Sequence, residues 1–284
     1  MLIDDLTNFC NTSFRNSQCQ QCNHAAVCPG DCGKCLDQIH FPKSSTDKKY
    51  YDCPQIINYY VCRYTHKYSS EILYLLYNSK ILAELDTYRV LSAGCGGCSD
   101  LIAFESFASL QNKPFSYIGI DLNTLWQPVH NFISAKINNS NIRFAYCDAV
   151  SYCTEHKANV NVLVMNYIIS SICRNDPKDA ESFLQNVCTM LTSPNLQRPF
   201  TVVINDVNHC NAGRDIINKF ANNISQYPNV CVNRFYFPYQ SPIYCYGNPT
   251  PNWCLCYQLP PNLDRNFYAV RDFCTSAQTL IELY

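Results

Sequence analysis

Apolar and polar positions alternate along most of this chain in two periods. Residues 68–85, YSSEILYLLYNSKILAEL, place Ile72, Leu75, Leu76, Ile81, Leu82 and Leu85 at helical spacing and predict a helix. A short apolar run, YRVLSA, then predicts a strand, DLIAFESFASLQ a helix and FSYIGID a second strand. LWQPVHNFISAKI predicts a helix with Pro128 in its first turn. IRFAYCD and the fully apolar VNVLVMNY predict strands three and four. DAESFLQNVCTML, FTVVIND, RDIINKFANNI and VCVNRFYF continue as helix, strand, helix and strand. The Pro- and Tyr-rich last 45 residues predict loops and an antiparallel strand or two. Strand–helix alternation on this scale predicts an α/β fold: a doubly wound, mostly parallel, seven-stranded Rossmann-like sheet.

The first part of the chain breaks this pattern. Eight of the 20 cysteines precede residue 63, and six of those lie between Cys19 and Cys53. Aliphatic residues are sparse there, and CPGDCG and FPKSSTD are turn signals. The expected division is a small, loop-rich metal-binding module over 1–67 and an α/β domain over 68–284. Cys19-x2-Cys22-x5-Cys28-x3-Cys32-x2-Cys35 contains two Cys-x2-Cys knuckles, a spacing that lets paired thiolates bind one tetrahedral Zn²⁺. With Cys53, Cys62 and His24 the set reaches eight ligands, enough for two zinc ions; Cys10 and His40 compete with His24 for the eighth place. An iron–sulfur cluster and unliganded thiols are the competing readings.

Charge narrows the picture little. The 284 residues carry a net charge of -1, and the first 80 hold 8 Lys/Arg against 7 Asp/Glu. That balance disfavours a basic tail for sequence-independent nucleic-acid binding. The N-terminus shows no signal-peptide pattern, and no apolar run is long enough to span a membrane. The expectation is a cytoplasmic, intracellular protein whose cysteines are thiols or metal ligands.

The chemistry converges on VLSAGCGGCSD, residues 90–100, which holds three of the chain's eight glycines. A strand, then Gly94-Cys95-Gly96, then a helix brings backbone close to a nucleotide. The second strand ends in Asp121, placed to accept from ribose hydroxyls, and the third in Asp148. A thioredoxin-like dithiol at Cys95 and Cys98 explains neither acid. A nicotinamide fingerprint would need glycine where Ser99 stands.

Over roughly residues 68–271 the chain resembles the class I S-adenosylmethionine-dependent methyltransferases. The resemblance implies that the backbone of Gly94 and Gly96 meets the methionine part of the cofactor. It implies that Asp121 binds the ribose, that Asp148 lies near the adenine amino group, and that Ala149 gives a backbone contact. Ser92, Cys95, Leu122 and Asn166 complete the implied cofactor set. Ser92 stands where the family often has an acid, Cys98 replaces the third glycine, and GCGGCSDL looks like a Gly-x-Gly-Pro-x-x-Asp-Leu variant. Cys95 and Cys98 are then expected to form neither a disulfide nor a zinc site.

Tyr167, Asp206, His209 and Trp126 are the candidate substrate-binding residues. NYII after the fourth strand has neither the Pro-Pro of amino-methylating nucleic-acid enzymes nor a Pro-Cys nucleophile for cytosine C5. The expected acceptor is RNA or a protein. The competing class is a catalytically silent binding protein that uses the zinc module and the aromatic C-terminal loops to hold a partner.

Overall fold

The computed structural model describes residues 1–16, 31–44, 47, 50–137, 141–149, 151–152, 160–238, 244–251 and 254–284. Its sheet follows the sequence pattern closely. The strands are β1 (Tyr88–Ala93), β2 (Phe115–Ile120), β3 (Ile142–Ala145), β4 (Val162–Asn166), β5 (Phe200–Asp206), β6 (Val230–Tyr236), β7 (Asn248–Pro249) and β8 (Ala277–Leu283). Their order is β3-β2-β1-β4-β5-β8-β6-β7. Strands β1 to β5 are mutually parallel, and β8 runs antiparallel between β5 and β6. The seven expected strands are therefore present, and a two-residue β7 extends the edge beside β6.

The order of the sheet places a switch between β1 and β4. Successive strands are laid down to one side of β1 and then to the other, and the carboxyl ends of β1, β2 and β4 open on one crevice, where ligands of open α/β sheets bind. Strands β4 and β5 are almost wholly buried because both faces are covered.

Two apolar cores flank the sheet. One joins Leu163, Met165, Val202 and Ile204 to α8 (Pro177–Leu191) and α9 (Arg214–Ile224). The other joins Val90, Val164 and Val203 to α5 (Ser99–Leu110), α6 (Gln127–Lys136) and α3 (Pro54–Leu76). Pro128 lies in the first turn of α6, as expected.

The N-terminal segment differs from expectation. Its described part is helical, with α1 (Leu2–Asn16) and α2 (Cys32–His40), where a loop-rich module was expected. Ile3, Leu6 and Leu36 belong to the same apolar core as Leu101 and Phe104 of α5, and Phe9 stacks on Phe132 of α6 at 4.3 Å. The expected boundary between residues 67 and 68 falls inside α3. That helix starts 14 positions earlier than its apolar repeat suggests, because the preceding stretch carries tyrosines and polar residues that pack inward. It stops at Leu76, and Ser79 caps the short α4 (Lys80–Glu84) by accepting from the Leu82 N–H. Among the described residues, no helix is long and apolar enough to cross a membrane.

Candidate functional site

The turn after β1 has the strained geometry its glycines suggest. Gly94 (φ +66°) and Gly96 (φ +45°) occupy left-handed backbone, as does Cys98 (φ 59°), which precedes the first turn of α5. A Cβ at Gly94 would lie 2.7 Å from Ile168 Cδ1, so this position needs glycine for space as well as for conformation. At Gly96 the nearest neighbour of a Cβ is Trp126, at 3.5 Å, and only the backbone angle demands glycine.

Asp121, just past β2, locks this turn. One carboxylate oxygen accepts from the Gly96 N–H at 2.9 Å and the other from the Asn123 N–H at 2.8 Å. Burial pushes the Asp121 carboxyl above the usual range, and these two N–H donors oppose that push. At the start of α5, Asp100 is buried and accepts from the Tyr117 hydroxyl at 3.2 and 3.1 Å. It favours the positive end of the helix dipole.

The other expected cofactor residues spread around the same crevice. Ser92 is buried on β1, in register with Gly119 and Val164. Leu122 is exposed next to Asp121. Asp148 is exposed and accepts from the Ser151 N–H at 2.8 Å, which caps the turn containing Ala149. Asn166 ends β4 and accepts from the Asn205 side chain at 2.9 Å.

The expected substrate residues separate into different environments. Tyr167 has positive φ (57°) and its ring stacks on Tyr68 of α3 at 3.8 Å. Trp126 is buried and lies edge-on to Tyr60 at 5.5 Å, close to the glycine turn. Asp206 is fully buried and accepts from the N–H of Ser170 in α7 (Ile169–Asn175) at 3.1 Å, an arrangement that holds a helix start in place. His209 is exposed, with Tyr244 6.2 Å away.

Helix α3 supplies functional candidates that strand-tip reasoning overlooks. Tyr60, Tyr64 and Tyr68 recur every four residues, so they share one helix face. Tyr64 and Tyr68 stack at 5.1 Å, and Tyr51 and His40 join the group. Lys67 and Glu71 form a buried ion pair at 2.9 Å. The Lys67 ammonium also donates to the Tyr167 hydroxyl at 2.7 Å, and that hydroxyl donates to Glu71 at 2.9 Å. Glu71 accepts further from Asn205 and from the Thr275 and Ser276 N–H groups. A fully satisfied polar network of this kind rigidifies the carboxyl ends of β4 and β5. The i,i+4 spacing of Lys67 and Glu71 was the available signal; their burial was not visible.

Only part of the expected zinc set falls within the described residues. Cys19, Cys22, His24 and Cys28 lie outside the described residues. Cys32 and Cys35 lie one turn apart in α2, both buried. Cys53 caps α3 and Cys62 sits nine residues further along it, about 13 Å at 1.5 Å per residue, too far to share one ion. The Cys62 thiol faces the Thr7 carbonyl at 3.7 Å, and burial, with Cys62 nearby, pushes the Cys10 thiol up. Both ring nitrogens of His40 face tyrosine hydroxyls, Tyr51 at 2.7 Å and Tyr64 at 3.2 Å.

One metal-ligating group of three or more is present among the described residues: Cys95, Cys98 and His130, all buried, with their donor atoms within 4.8 Å of one another. Burial pushes the Cys95 thiol up. Burial also acts to raise Cys98, but the hydrogen bond with Cys95 and the charge of His130 outweigh it and bring Cys98 down to about 7. His130 was not singled out from the sequence.

No protein-family model and no curated protein matches the chain. Solved structures do. The plantazolicin methyltransferase BpumL in complex with SAH superimposes with a TM-score of 0.50 at 12% identity, over 88% of this chain and 94% of that one. The same enzyme with a monoazolic desmethylPZN analog and SAH gives the same values. An rRNA methylase from Streptococcus thermophilus gives 0.42 at 9% identity, over 78% and 95%. The likeness to BpumL establishes the fold.

Proposed function

We propose that this protein is an S-adenosylmethionine-dependent methyltransferase acting on a macromolecular acceptor. The observation that carries this reading is the union of two strand tips. The left-handed turn at Gly94–Gly96 is tied through its own N–H to the carboxylate of Asp121. Bare backbone faces the crevice at one strand, and an acid stands at the next, which suits a nucleoside with a charged amino-acid tail. BpumL, which shares the fold, holds SAH.

The cofactor would supply an electrophilic methyl on its sulfonium. This chain's residues would supply position. The backbone of Gly94 and Gly96 receives the cofactor's methionine part, and Asp121 accepts from its ribose hydroxyls. Tyr167, held by Lys67 and Glu71, orients the acceptor over β4. Methyl transfer needs chiefly in-line approach, so a rigid aromatic wall at Tyr68 and Tyr167 serves it. RNA and protein are the two acceptor classes in the proposal. Cys32 and Cys35, one turn apart and buried, fit one edge of a zinc site in the N-terminal segment, to be completed by two of Cys19, Cys22 and Cys28.

Calorimetric titration with S-adenosylmethionine, followed by transfer of labelled methyl groups to whole-cell RNA and protein, tests the reading. Binding with transfer supports it. Binding without transfer favours the silent binding protein, and absence of binding to folded protein overturns the methyltransferase reading.

A further inference from the structure

The turn after β1 and helix α6 bring together three donor atoms, the thiols of Cys95 and Cys98, which from the sequence were expected not to bind zinc, and an imidazole nitrogen of His130. Cys95 Sγ lies 3.7 Å from His130 Nε2. A tetrahedral zinc with Zn–S of about 2.3 Å and Zn–N of about 2.0–2.1 Å puts sulfur and nitrogen about 3.6 Å apart. Cys98 Sγ completes the triangle, and all three side chains are buried.

We propose that Cys95, Cys98 and His130 bind a Zn²⁺ ion that clamps the glycine turn onto α6.

Three further features fit an ion there. The His130 ring is fixed, stacked on Phe144 at 4.2 Å and 9°. Its Nδ1 faces the Tyr146 hydroxyl oxygen at 2.8 Å, which can accept the N–H that an imidazole bound to a metal through Nε2 keeps. Gly119 leaves the Cys95 thiol its place: a Cβ there would lie 2.9 Å from Cys95 Sγ, and equally close to Phe144 Cδ1 and Tyr117 Cε1.

The balance is simple. Each thiol loses its proton to solvent on binding, and two thiolates neutralise the divalent ion, so a buried site carries no net charge. The imidazole stays neutral with its proton on Nδ1. The Zn–N bond replaces the hydrogen bond that Nε2 makes with the Gly96 carbonyl at 2.9 Å. Three protein ligands leave the fourth tetrahedral position to water. The ion would join two elements 35 positions apart in sequence, which neither thiol does alone.

Zinc counts on purified full-length protein test this, and they need no methyl donor. Cys98→Ser and His130→Asn are each expected to hold one zinc fewer per chain than wild type. Cys32→Ser is expected to leave that ion in place. Because either variant could fold poorly, wild-type protein gives a second measurement. Native alkylation mapped by mass spectrometry is expected to show Cys95 and Cys98 protected with Zn²⁺ bound and modified at least about tenfold faster after chelation. Equal zinc content in wild type and both variants would overturn the proposal. So would alkylation of Cys95 and Cys98 at the same rate before and after chelation, the behaviour of thiols shielded by burial alone.

Discussion

The Gly96 N–H donates to the Asp121 carboxylate at 2.9 Å, joining the tip of β1 to the tip of β2. The contact makes the acid both a structural tie and the charged acceptor of the proposed ribose site. Asp121→Ala is expected to weaken S-adenosylmethionine binding by about ten- to over a hundred-fold, from a charged hydrogen bond contributing roughly 1.5–3 kcal/mol. Calorimetric titration measures it, with thermal melting to confirm that the variant is folded. Unchanged affinity in a folded variant would remove Asp121 from the site.

The two glycines of the turn are expected to differ. An alanine at either meets left-handed backbone strain of about 1–2 kcal/mol. Gly94→Ala also drives its Cβ into Ile168, against Cδ1 at 2.7 Å and Cγ1 at 3.0 Å, whereas Gly96→Ala meets Trp126 at an ordinary 3.5 Å. Urea denaturation should therefore find Gly94→Ala the less stable of the two. Its penalty should shrink in an Ile168→Ala background, which removes both of the closest atoms.

Glu71 holds five partners, and Lys67 depends on it for charge. Glu71→Gln leaves a buried ammonium without a counter-charge and is expected to cost about 3–5 kcal/mol. Lys67→Met with Glu71→Gln should cost less than the sum of the two single changes, because the pair is coupled. A double-mutant cycle in urea reads this directly. Strict additivity would show that the ion pair contributes nothing of its own.

His66 is buried in α3, and neither ring nitrogen has a hydrogen-bond partner among the described residues. Burial pushes its pKa down to about 4. The unfolded chain then binds a proton below about pH 6.5 that the folded chain refuses, so stability falls as pH drops from about 6.5 to 4, by about 3 kcal/mol in all. His40, held down to about 3 by burial, adds loss of the same sign. Melting temperatures from pH 7 to 4.5 should fall less steeply for His66→Leu than for wild type. Parallel profiles would mean that His66 titrates normally.

The sheet and the glycine turn were legible because their signals are local. A strand buried on both faces reads as an apolar run whatever surrounds it, as Val162–Asn166 does. A left-handed turn leaves glycines at 94 and 96 without reference to distant residues. The alternation also located the end of the second strand, and Asp121 stands just past it. The extent of α3 was not legible. Lys67 and Glu71 show in the sequence only as an i,i+4 charge pair until tertiary packing buries them against Tyr167 and Asn205, and Tyr60 meets Trp126 only in the fold. Nor was His130, a lone histidine on a helix until folding sets it 3.7 Å from Cys95. Burial and coordination depend on contacts between residues 35 to more than 100 positions apart, which local periodicity does not encode.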